Sequence, residues 1–145
     1  NQLINLQRYR MKKVILIIRN AFWIFALLGF ASSATYSQEE RGANALALKA
    51  IADIVASINH FPSDSDKATL AEIVENDELA QGVRAMATAV SGISHGATDE
   101  GKAAMARIQQ NTQAPDIAKQ LAGIIAGINH TASDSDKATL AQLFP

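Results

Sequence analysis

Cysteine is absent from all 145 residues. That excludes disulfides, and it excludes a lipid-anchoring Cys behind any export leader. Aromatic residues are almost as scarce, since only Phe61 and Phe144 occur in residues 41–145. Sugar-stacking platforms, aromatic cages and base-stacking surfaces are therefore not expected. A basic stripe is lacking too. Residues 41–145 hold eight basic side chains (Arg41, Lys49, Lys67, Arg84, Lys102, Arg107, Lys119, Lys137) against twelve acidic ones (Asp53, Asp64, Asp66, Glu72, Glu75, Asp77, Glu78, Asp99, Glu100, Asp116, Asp134, Asp136), a balance of −4. Without clustered positive charge, neither nucleic acid nor an anionic lipid surface is an expected partner.

What is present divides at about residue 40. Met11-Lys12-Lys13 gives a basic start, Val14 to Ile18 and Ala21 to Phe30 give an apolar stretch, and Ala31-Ser32-Ser33-Ala34 gives small residues for a peptidase. This is the three-part pattern of a secretory signal peptide, expected over 11–34, with 1–10 as an upstream extension and 35–40 as a linker. Arg19 and Asn20 interrupt the apolar run, which leaves each part short of the ~20 residues a spanning helix needs. The expectation is a periplasmic or secreted bacterial protein with no membrane association after cleavage.

Residues 41–145 repeat. Ile51 to Val74 and Leu121 to Phe144 are identical at fifteen of twenty-four positions, at an offset of 70. Half that offset reaches Met86 to Gln109, which keeps Ala87, Val90, Ile93, His95, Asp99, Lys102, Ala103, Ala106 and Ile108 in register with the first copy. Three units of 35 residues thus fill 41–75, 76–110 and 111–145. Tetratricopeptide repeats have a similar period of 34, but their Trp, Gly and Tyr pattern is missing here.

Each unit reads as a helical hairpin. Apolar residues at Leu48, Ile51, Ile54, Val55 and Ile58 recur in steps of three and four, as do Met86, Val90 and Ile93, and Leu121, Ile124, Ile125 and Ile128. That spacing puts them on one helical face. After a short break, Ser63, Thr98 and Ser133 stand as helix caps, each followed by an Asp suited to the positive helix end. Asp66 and Asp136, three residues on, complete a near capping box. The second helices bury Leu70 with Ile73 and Val74, Met105 with Ile108, and Leu140 with Leu143. Gly101, in the first turn of the middle copy, makes that helix the weakest of the three. Alanine supplies twenty-three of these residues, so helix axes approach closely and little interior volume is expected for a ligand. The expected fold is all-α: six helices in three tandem hairpins, forming a short α-solenoid or a compact bundle.

All three histidines of the chain occupy one repeat position: His60, His95 and His130. Each is followed four residues later by Asp64, Asp99 or Asp134 and seven later by Lys67, Lys102 or Lys137. The structural expectation is that each imidazole caps the end of the first helix and reaches the Asp opening the second, fixing the hairpin angle. The chemical alternative is a metal or haem site. In an open solenoid equivalent residues stand roughly 8–10 Å apart, too far to share an ion, so a common site requires the three hairpins to close around a threefold axis. A small hydrolase is the weakest alternative, because His with Asp lacks a free nucleophile and oxyanion donors.

The expected function is a non-enzymatic exported helical-repeat module, without cofactor, that binds an unidentified protein partner or self-associates. The His60/Asp64/Lys67 edge and its equivalents form the candidate interaction surface.

Overall fold

The computed structural model describes residues 32–145, with side-chain surroundings from residue 40 onward. The upstream extension at 1–10 and most of the leader at 11–34 lie outside the described residues. Six helices follow one another: α1 (Ser32–Ser57), α2 (Asp64–Glu75), α3 (Gln81–Ser91), α4 (Asp99–Gln110), α5 (Asp116–Gly127) and α6 (Asp134–Leu143). Among the described residues there is no strand, and no helix is long and apolar enough to cross a membrane. Residues 35–40, expected as a linker, belong to α1.

The three odd-numbered helices supply the centre of the core in matched layers. Ile51, Met86 and Leu121 are at most 1% exposed, as are Ala52, Ala87 and Ala122, and Val55, Val90 and Ile125 are wholly buried. One turn further on, Ile58, Ile93 and Ile128 close the set. Each fully buried aliphatic side chain contributes about 1.5–3 kcal/mol relative to exposure, so these layers hold the hairpins together. The second helices add Leu70, Met105 and Leu140 from outside. The first two pack against the first helix of the next unit: α2 lies on α3 and α4 on α5.

The caps form where the residue pattern placed them. Ser63 N–H donates to Asp66 Oδ2 at 3.0 Å while Asp66 N–H donates to Ser63 Oγ at 3.2 Å. Ser133 and Asp136 repeat the pair at 3.3 and 3.1 Å. In the middle copy Thr98 Oγ1 accepts from Gly101 N–H at 3.0 Å. Gly101 cannot return a bond, but it is buried, and a Cβ there would stand 3.5 Å from the Ala89 Cβ and 3.3 Å from Thr98 Oγ1. The missing half of the capping box is thus exchanged for close approach of α4 to α3.

Asn76 and Asn111, one period apart, turn the chain between units. Each side-chain oxygen accepts from the backbone N–H two residues on, at 3.0 and 2.9 Å. This device is local Asx-turn chemistry.

The last unit closes onto the first. Lys49 Nζ on α1 donates to the carbonyl of Phe144, beyond the end of α6, at 2.8 Å. A cation at a helix C-terminus satisfies orphan carbonyls and meets the negative end of the dipole. Lys49→Met keeps the packing and removes the charge. The expected cost is about 1 kcal/mol, since the side chain is partly exposed. In urea it should appear as a lower midpoint at unchanged slope; an unaltered midpoint would show that this contact does not hold the ring closed.

Candidate metal centre

The loops that follow α1, α3 and α5 are built alike. A buried Ile58, Ile93 or Ile128 anchors each loop, and a buried Pro62, Ala97 or Ala132 anchors it again before the next cap. Between these anchors the chain must reverse sharply. It does so at the histidine, where φ is 72° at His60, 68° at His95 and 69° at His130. They are the only non-glycine residues with positive φ among the described residues. The left-handed region costs a side-chain-bearing residue about 1–2 kcal/mol, and the same cost is met at all three loops.

That backbone geometry turns the peptide groups toward the neighbouring loops. His60 N–H donates to the His130 carbonyl at 2.7 Å, His95 N–H donates to the His60 carbonyl at 2.7 Å, and His130 N–H donates to the His95 carbonyl. The bonds run head to tail around a closed circuit. Together with the Lys49 contact, they favour the compact bundle of the two expected architectures, with the three hairpins closed into a ring.

Closure brings the imidazoles together. Their ring centroids are 5.3 Å (His60–His95), 5.0 Å (His60–His130) and 5.1 Å (His95–His130) apart, with planes crossing at 81–90°. Each offers one nitrogen to a set lying within 4.8 Å of one another, and all three residues are exposed. Nitrogens 2.0–2.1 Å from a shared zinc ion are about 3.3–3.6 Å apart. Each nitrogen therefore has to move inward by at most about 0.8 Å, a side-chain swing of roughly 15° or less, which costs less than about 1 kcal/mol.

At two of the three positions the imidazole has an amide partner. His60 Nδ1 lies 2.7 Å from Asn59 Oδ1, and His130 Nδ1 lies 2.7 Å from Asn129 Oδ1. An amide oxygen accepts, so these contacts suit the tautomer that is protonated at Nδ1 and leaves Nε2 with the lone pair a metal requires. Such a bond from the outer ring nitrogen is the usual orienting contact of a ligating histidine. Ser94 replaces Asn before His95, and no equivalent bond forms there.

The expected contact between each His and the following Asp is not made. Asp64, Asp99 and Asp134 open α2, α4 and α6, and none bonds an imidazole. Each His lies beyond the last helical turn in a left-handed conformation, which directs its ring toward the other two loops and not across its own hairpin. Lys67, Lys102 and Lys137 form no ion pair with any of these residues; Lys67 Nζ stands 6.0 Å from the exposed Phe61 ring. Of the nine side chains in the candidate surface, the structure gathers the three histidines. It adds Asn59 and Asn129, whose only signal in the sequence is their place before His in the first and third copies.

The hydroxyls of Ser63 and Ser133 are committed to Asp66 and Asp136, at 2.7 and 2.6 Å. A solvent-open cleft of about 420 Å³ lies among Leu48, Val83, Met86, Ile108 and Ala118. The chain matches no protein-family model, no curated protein and no solved structure.

Proposed function

We propose that residues 41–145 form a non-enzymatic helical module that holds one transition-metal ion on the axis of its three hairpins, liganded by His60, His95 and His130. The observation that carries the reading is the convergence of all three imidazoles to within 4.8 Å at one exposed point. A left-handed turn alone is served at least as well by Gly or Asn. Using His at each turn places three equivalent donors around one axis. Imidazole nitrogen suits zinc and copper, and the Asn59 and Asn129 contacts favour the ligating tautomer at two of the donors.

Haem is a poorer fit, since rings in edge-to-face contact about 5 Å apart leave no slot for a porphyrin plane between them. Hydrolysis is also poorly supported, because the cap hydroxyls are occupied. Export, carried by the residue pattern of the leader, belongs to the same proposal and places the site where metal is exchanged with the medium.

Calorimetric titration of the domain with zinc is expected to give one ion per chain. The double variant Asn59→Ala/Asn129→Ala should keep that stoichiometry and bind about 10–100-fold more weakly, the usual loss when an orienting partner is removed. A stoichiometry near zero, or uptake unchanged in a variant with all three histidines replaced by Asn, would refute the site.

A further inference from the structure

Resting on that metal reading, we infer that the bound ion keeps one coordination position turned to solvent, and that this position takes a small monodentate anion. Three observations converge on it. The donors number three, whereas zinc takes four; a site with three protein ligands leaves its fourth position to water or another exogenous group.

The described residues supply no fourth His or carboxylate donor nearby. The peptide N–H and carbonyl groups of the three histidines are engaged in their own circuit. The Asn59 and Asn129 oxygens are engaged by Nδ1. The next residues are Phe61, Gly96 and Thr131, and no carboxylate or further imidazole joins the cluster among the described residues.

All three donors are exposed, and the loops bearing them are held from within by Ile58, Ile93 and Ile128. The remaining vertex of a tetrahedral ion therefore faces the medium. Charge then selects the occupant. Three neutral imidazoles leave the ion's double positive charge uncompensated, and a bound cation is the largest local charge in such a site. An anionic donor such as hydroxide, azide or a small carboxylate is thus favoured over a neutral one.

The test uses cobalt(II) in place of zinc, because its visible absorption reports coordination number and ligand set. The domain loaded with one equivalent of cobalt is titrated with azide. A saturable change in the visible bands is expected, absent from cobalt in buffer and lost in His95→Asn. Histidine-dependent cobalt bands that azide leaves unchanged would overturn the open position while the metal site stands. Failure of cobalt to develop histidine-dependent bands at all would overturn both.

Discussion

Zinc at about a hundredfold excess over its dissociation constant should raise the melting temperature of the domain by about 10 °C, and His95→Asn should abolish the rise. An ion that binds only the folded chain stabilises it by RT ln(1 + [L]/Kd), about 2.7 kcal/mol at that excess. For a domain of this size, each kcal/mol corresponds to about 4 °C. The unfolded chain cannot reproduce the site, because its three donors are 35 residues apart in sequence and meet only after both the His circuit and the Lys49 contact have closed the ring. Removing one imidazole leaves two, and the linkage term falls with the affinity.

Asn is the informative replacement because it tolerates the left-handed backbone. Ala at φ 68° would add strain and confuse a lost ligand with a damaged fold. A shift that persists in His95→Asn would place the ion elsewhere.

Much of this fold is legible in the residues. The steps of three and four in Ile51, Ile54, Val55 and Ile58 mark a buried face, and Ser63, Thr98 and Ser133 mark the second helices to the residue. These are local signals, written within one turn of helix. Ring closure is different in kind. Nothing in the stretch around His60 states that its amide will meet the carbonyl of His130 two periods away, because that contact depends on the summed rotation of three hairpins. The same period is compatible with an open solenoid, where the histidines would be strangers.

The helical residue pattern also points away from where each His stands. Its place near the end of an apolar stripe looks like the last turn of a helix, where an imidazole meets carbonyls of its own hairpin. The chain instead leaves the helix at Ser57, Ser91 and Gly127 and spends the next residues on a left-handed reversal. Positive φ usually advertises itself through Gly or Asn, and here it is carried by a residue chosen for its side chain. That substitution is what hides the turn in the sequence and what points to the site in the structure.

The strain at this position separates scaffold from site experimentally. His95→Gly should abolish metal binding while leaving the metal-free domain as stable as before, or more stable by up to about 1 kcal/mol. Glycine occupies φ near 70° without the penalty of about 1–2 kcal/mol, and part of that gain is offset by the greater freedom of an unfolded Gly. The backbone N–H is retained, so the bond to the His60 carbonyl survives. His95→Pro should do the opposite to the fold. The ring fixes φ near −65°, the reverse of the 68° observed, and the donor to His60 disappears. With both the turn and one link of the circuit lost, a penalty of about 3 kcal/mol or more is expected, enough to open the ring or unfold the chain. Urea unfolding without metal distinguishes the two variants directly. If Gly proved as damaging as Pro, the imidazole itself would be holding the loops together, and His60, His95 and His130 would be structural before they were ligands.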